Sequence, residues 1–330
     1  MASNDFWTEK CALVSGATGL VGSWLVESLL ERGAKPVCLV RDFVPDSRFF
    51  SEGFDKKVSI VHGSLEDFWT IERTINEYEP DVVFHLGAQS QVLQANRSPL
   101  PTFEANIRGT WNLLEACRLH GNSLETVVVA SSDKAYGDQE KLPYTEDMPL
   151  QGRNPYDVSK SCCDLLSQSY AKTYKWPVVI SRCGNFFGGG DLNFKRIVPG
   201  TIRSLYNGTP PVIRSDGKYV RDYIYVKDAV SAYLALAEKY SPQIAGEAFN
   251  FSNETQLSVL EMVGLIAKLM KRENIKPVVR NEPLNEIRAQ HLSAKKAAKM
   301  LGWKAKYGLE RGLKETVDWY VSGFEARRKK

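Results

Sequence analysis

Apolar runs of strand length alternate with amphipathic stretches through the first half of the chain, the pattern of a parallel sheet covered on both faces. Strands are expected near 11–15, 36–40, 59–62, 82–86, 126–131 and 178–182. Between them, 21–32, 68–78 and 102–120 read as helices. The last sets Ile107, Trp111 and Leu114 on one stripe at steps of four and three, a face expected to pack. A further helix over 156–174 follows the turn signal Arg153-Asn154-Pro155. Beyond Arg182 the regular alternation stops. Gly188-Gly189-Gly190-Asp191 and Gly208-Thr209-Pro210-Pro211 punctuate shorter segments, and a final helical region runs from about Ser293.

Composition adds mainly exclusions. The chain has 330 residues, 43% of them apolar, enough for a large core and too many for disorder. Lys plus Arg total 43 against 39 Asp plus Glu, and only the tail Arg327-Arg328-Lys329-Lys330 concentrates the excess. A short basic tail is normally a solvated one, so no nucleic-acid partner is expected. The apolar run 11–26 is interrupted by Ser15, Gly16, Thr18, Gly19 and Gly22 and falls short of a bilayer span. The start, carrying Asp5 and Glu9, lacks the basic region of a secretion signal. The six cysteines (Cys11, Cys38, Cys117, Cys162, Cys163, Cys183) form no CxxC pair and no ligand spacing with histidine. Reduced thiols in the cytoplasm and no metal site are therefore expected.

The first expected strand runs into Gly16-Ala17-Thr18-Gly19-Leu20-Val21-Gly22 and then a helix. Glycines there let the backbone turn tightly and approach a pyrophosphate, while the N–H groups of the helix start favour an anion. Asp42, about twenty residues beyond Gly22 at the end of the next strand, suits the ribose hydroxyls of NAD. Arg41 beside it suits a 2′-phosphate equally, so NAD is favoured and NADP stays open. The expected architecture is thus α/β, a doubly wound parallel sheet (Rossmann) over 1–184 with part of 222–250 returning to it. Residues 185–330 mainly form a smaller C-terminal substrate-binding lobe.

Tyr156-Asp157-Val158-Ser159-Lys160 sets a phenol and an ammonium one turn apart on one helical face. The ammonium favours phenolate and makes the tyrosine a usable base at neutral pH. With the glycine motif upstream and a strand ending at Ser131-Ser132, the set resembles the Ser132, Tyr156, Lys160 triplet of extended short-chain dehydrogenase/reductases acting on nucleotide sugars. The resemblance runs from Cys11 to about Trp303. Val83-Phe84-His85-Leu86-Gly87-Ala88-Gln89-Ser90 resembles that group's segment beside the cofactor, with Gly87 in place of an alanine. Asn106 to Ala116 resembles the helix that follows. Gly63-Ser64 departs from the usual Gly-Asp at the adenine edge. The resemblance implies cofactor contacts from Gly16, Thr18, Gly19, Leu20, Val21, Gly22, Arg41, Asp42, Ser64, Leu65, Leu86, Gly87, Ala88, Tyr156 and Lys160.

Ser132-Asp133-Lys134 is the most informative stretch. An acid and then a lysine after the catalytic serine resemble the CDP-glucose 4,6-dehydratases, which must expel the C6 hydroxyl. The resemblance implies that Tyr156 takes the 4-hydroxyl proton, Lys134 the C5 proton, and that Asp133 protonates the departing hydroxyl. It also implies substrate contacts from Asn185, Arg196, Arg221 and Arg288, and a homodimer or higher homo-oligomer built on the helices over 102–120 and 156–174. The expected activity is that of an NAD-dependent nucleotide-diphosphate-hexose 4,6-dehydratase, CDP-glucose type favoured. A 4-epimerase or 4-ketoreductase is the alternative. A non-catalytic dinucleotide-binding regulator is a remoter one, for which the intact Ser132, Tyr156 and Lys160 would serve no purpose.

Overall fold

The computed structural model describes residues 6–282 and 286–328. The strands follow the chain as β1 (Cys11–Ser15), β2 (Lys35–Val40), β3 (Ser59–His62), β4 (Val82–His85), β5 (Thr126–Ala130), β6 (Val178–Cys183) and β7 (Asn185–Phe187). They continue as β8 (Val212–Ile213), β9 (Val220–Tyr225), β10 (Ala248–Phe251), β11 (Gln256–Ser258), β12 (Val278–Val279) and β13 (Ala289–Gln290). The main sheet is parallel in the order β10-β6-β5-β4-β1-β2-β3. Because β2 and β3 extend one way from β1 and β4 to β6 the other, the order reverses at β1/β4. A ligand crevice opens at the carboxyl ends of strands at such a point.

Strands buried on both faces carry side chains of alternating direction into two cores. Ala12, Val14, Phe84 and Val128 pack with Leu25, Val26 and Leu29 of helix Leu20–Glu31 and with Val230 and Leu234 of helix Val226–Glu238. Leu13, Val83, Val127 and Val129 face Ile71, Leu113, Leu114, Cys117 and Cys163 from helices Phe68–Tyr78, Gly109–His120 and Pro155–Tyr174. After β9, helix Val226–Glu238 packs on the main sheet and β10 joins it at the edge beside β6.

β9 organises the second unit. Its first half pairs with β11 and β13 and its second half with β7, while β8 pairs with β12. Helix Leu309–Arg328 buries Leu313, Val317 and Tyr320, and the Tyr320 hydroxyl donates to the Asp191 carbonyl at 2.6 Å.

One expected stripe is corrected. Helix Pro99–Phe103 passes through a wider π turn, Glu104–Arg108, before Gly109–His120 begins. Thr102, Ala105, Asn106, Gly109, Thr110, Leu113 and Cys117 face inward, a helical stripe of mostly small and polar residues beside the expected apolar one. Trp111 is left 43% exposed and Ile107 half-buried, and only Leu114 of the expected stripe is buried. In the tail, Arg327 pairs with Asp46 at 2.9 Å and Arg328 lies over the Tyr206 ring. Lys329 and Lys330, like Asp5 at the start, lie outside the described residues.

Candidate active site

Where β1 ends, Gly16 adopts φ +77°, and a Cβ there would meet the Gly87 nitrogen at 2.7 Å. A Cβ on Gly22 would meet the Gly16 carbonyl oxygen at 2.1 Å, so only glycine lets the helix start close onto the strand end. Gly19 is the N-cap of helix Leu20–Glu31 and supplies no side-chain cap. Its first turn therefore presents free backbone donors, which suits a pyrophosphate.

These residues form one end of a cleft of about 1240 Å³. That exceeds the several hundred cubic ångströms typical of one ligand and has room for a dinucleotide and a second molecule. Of the residues expected at the cofactor, Gly16, Thr18, Gly19, Leu20, Val21, Gly22, Arg41, Asp42, Leu65, Leu86, Gly87, Ala88, Tyr156 and Lys160 all line it. Ser64 does not, and its hydroxyl donates to the Glu66 carboxylate. Arg41 donates to Asp42 at 2.7 Å, both side chains about three-fifths exposed, so the cation neutralises the acid that would read the ribose.

The other end of the cleft lies past β5. Ser132 caps a 3₁₀ turn, Asp133–Tyr136, accepting the Lys134 N–H at 3.2 Å, and its hydroxyl donates to the Asp133 carboxylate at 3.0 Å. Tyr156 and Lys160 lie on helix Pro155–Tyr174, and the Lys160 ammonium donates to the Ala130 carbonyl at 2.7 Å. Ser132, Asp133, Lys134, Tyr156 and Lys160 thus share one cleft wall built from two elements.

Burial shifts both groups of the turn toward their neutral forms. It pushes the Asp133 carboxyl above its usual range, outweighing the opposing charge of Lys134. It also pushes the Lys134 amine below its usual range, helped by the positive charge of Arg221. One carboxyl oxygen of Asp133 is buried with no hydrogen-bond partner. An acid inclined to be neutral and an amine inclined to be neutral are a proton donor beside a proton acceptor.

The substrate-side residues separate. Asn185, on β7, lines the cleft. So does Arg196, which donates to Asp191 at 3.1 Å and Ser90 at 3.2 Å. Arg221 lines it, buried and paired with Glu286 at 3.2 Å. Arg288 is not in the cleft wall: its side chain is 78% exposed and pairs with Asp216 at 3.0 Å.

Three groups that sequence reasoning did not single out hold this wall. His85 is buried between the Ser15 hydroxyl and the Thr110 hydroxyl, each at 3.0 Å, and burial lowers its pKa to about 3, so a neutral ring ties β1, β4 and a helix together. Asn106, on the π turn, accepts the Gln89 N–H at 2.7 Å and donates to the Ser159 hydroxyl at 2.9 Å, tying the cofactor segment to the tyrosine helix. Gln290 meets the acid–base turn from β13, and no local signal marks it, since its partners lie 156 and 157 residues away. Among the described residues there is no cluster of His, Cys, Asp and Glu fit to hold a metal ion.

A doubly wound sheet, a glycine turn at its switch point and a Tyr-x-x-x-Lys helix in the same cleft define an extended short-chain dehydrogenase/reductase. Comparison with known proteins narrows this. The profile of the GDP-mannose 4,6 dehydratase family matches residues 13–316, and the chain belongs to that family. It is 30% identical to a CDP-glucose 4,6-dehydratase of Salmonella typhimurium, over 97% of this chain and 93% of the relative. The fold is similar to a dTDP-glucose 4,6-dehydratase from Bacillus anthracis solved in complex with NAD, at TM-score 0.84 and 26% identity over 96% of this chain and 98% of that one. It is also similar to a UDP-glucose 4-epimerase from Thermotoga maritima with UDP-glucose, at TM-score 0.87 and 28% identity over 95% and 99%.

Proposed function

We propose that this protein is an NAD-dependent nucleotide-diphosphate-hexose 4,6-dehydratase that prefers a CDP-linked glucose. The observation that carries this reading is the Asp133–Lys134 pair beside Ser132 in the cleft, with Asp133 buried and Lys134 half-buried. The CDP preference rests on the Salmonella relative.

NAD, when bound, would supply the hydride chemistry of the cycle, from C4 of the sugar and back to C6. Gly16, Gly19, Gly22 and the helix start behind them would hold it. The proton half falls to this chain's own residues. Ser132 holds the 4-hydroxyl while Tyr156, its charge balanced by Lys160, takes that proton. The resulting C4 carbonyl acidifies C5–H, and Lys134, neutral, takes the C5 proton. Asp133, protonated, gives its proton to the C6 hydroxyl, which leaves as water. Lys134 then returns a proton to C5. The cycle leaves Tyr156 protonated and Asp133 ionised, and passage of one proton between them through solvent resets the site. Cations at Arg196 and Arg221 would meet the substrate diphosphate, with Asn185 donating to it.

We further propose that 1–184 with the returning segment binds the cofactor and that the remainder mainly binds the sugar nucleotide. The free cysteines fit work in the cytoplasm. Leu100, Trp111 and Leu119 on one helical segment and Leu165 and Tyr174 on another stay exposed, which supports an isologous dimer.

Incubation with CDP-, GDP-, dTDP- and UDP-hexoses tests the activity: one substrate should lose one water. Asp133→Asn should slow that loss by roughly 10²–10⁴-fold while still allowing oxidation at C4, seen as reduced-cofactor absorbance. A product of unchanged mass inverted at C4 would replace the dehydratase by an epimerase.

A further inference from the structure

Gln290 is fully buried on β13, opposite Arg221 in the pairing with β9. Its carbonyl oxygen accepts from the Lys134 amine at 2.6 Å, and its NH₂ donates to the Asp133 backbone carbonyl at 2.8 Å. A carbonyl can only accept, so the Asp133 backbone oxygen requires the NH₂ of Gln290 to face it and leaves the amide oxygen to face Lys134. We propose that Gln290 is the positioning residue of the acid–base turn: one uncharged amide orients the Lys134 amine through its oxygen and anchors the Asp133 backbone through its nitrogen. This inference rests on the dehydratase reading and names the residue that makes its C5 base work.

The amide's neutrality matters as much as its shape. Four titratable groups face Lys134: Asp133 on its own turn, Asp157 on helix Pro155–Tyr174, Glu286 ahead of β13, and Arg221 on β9. Burial and Arg221 favour the neutral amine against the three acids. A carboxylate at 290 would add an anion in direct contact with Lys134 and hold it as ammonium, which cannot take a proton. A methionine would keep the volume and lose both hydrogen bonds. Because β13 also pairs with β9, the same residue links the phosphate-side Arg221 to the proton-transfer turn.

The test uses the NAD-loaded protein, Gln290→Glu and Gln290→Met, with solvent deuterium incorporation at C5 measured against pH. In the parent, incorporation should rise with pH as the Lys134 amine is freed. Gln290→Glu should move that rise upward by about 1–3 pH units. Gln290→Met should lower incorporation by about 10- to 100-fold while oxidation at C4 stays within about threefold. Titration of the ¹⁵N-lysine signal of Lys134, assigned through Lys134→Met, should show the same upward shift in Gln290→Glu with no substrate present. If C4 oxidation and C5 exchange fall in proportion in both variants and the titration stays put, Gln290 only packs the fold and the proposal is overturned. If the parent releases water from no nucleotide hexose while the titration still shifts, the dehydratase reading fails and the Gln290–Lys134 contact stands.

Discussion

Tyr156 and Asp222 carry the sharpest residue-scale consequences. Tyr156→Phe removes the proton acceptor and leaves the glycine turn intact, so turnover should fall by about 10²–10⁴-fold or more with NAD affinity nearly unchanged. Retained affinity is read by calorimetry, and sugar conversion near the parent rate would contradict the role. Asp222 is buried on β9, accepts the Leu292 N–H at 3.1 Å and has its carboxyl pushed up to about 7 by burial. In the unfolded chain it ionises near pH 4. Between about pH 4 and 7 the folded state therefore holds a proton that the unfolded state has released, and stability declines as pH rises through that window. Asp222→Asn cannot ionise. Its Tm relative to the parent should climb from pH 4 to 7 and level off above, and a difference flat across that range would show that Asp222 does not titrate there.

At the scale of elements, the glycine turn and the Arg182 network show two ways of fixing a site. The turn depends on absent side chains. In Gly22→Ala the added methyl collides with the Gly16 carbonyl, the helix start must retreat, and NAD affinity should drop by about tenfold or more, about 1.4 kcal/mol. Calorimetric titration measures this, and an unchanged affinity would mean that the close approach does not shape the cradle. The network depends on present ones. Arg182 on β6 makes two hydrogen bonds to Asp164 at 2.8 and 2.9 Å and a third to the Tyr136 hydroxyl at 2.8 Å, and that hydroxyl donates to Asn250 on β10. The far end of the acid–base turn is thereby moored to the returning strand. The glycine motif was legible because its three members lie within seven residues. The mooring was not, because its members lie 18 to 114 residues apart.

Across the whole molecule, the exposed apolar residues of the helical segments at 99–120 and 155–174 lead to a prediction about assembly. Sedimentation at micromolar concentration should give twice the chain's mass, and Trp111→Glu with Leu165→Glu should shift it to monomer. A monomeric parent would refute the dimer. Trp111 lies on the face of its helix away from the buried stripe of Gly109, Thr110, Leu113 and Cys117, which leaves it outside for such a contact.

Local pattern determined the parallel sheet, the dinucleotide turn and the Tyr156–Lys160 pair, because each rests on side-chain periodicity or backbone freedom within a dozen residues. It also marked Asp133 and Lys134 by their place after a strand end. Tertiary structure decided their protonation, since neither is neutral-leaning until burial removes water from both. It decided that Arg288 turns out to solvent while Arg221 turns in, a difference that no feature of the motif around them carries. And it brought Gln290 to the acid–base turn, because β13 reaches it only by pairing with β9: hydrogen-bond partners on strands far apart in the chain are chosen by sheet register, which the whole fold sets at once.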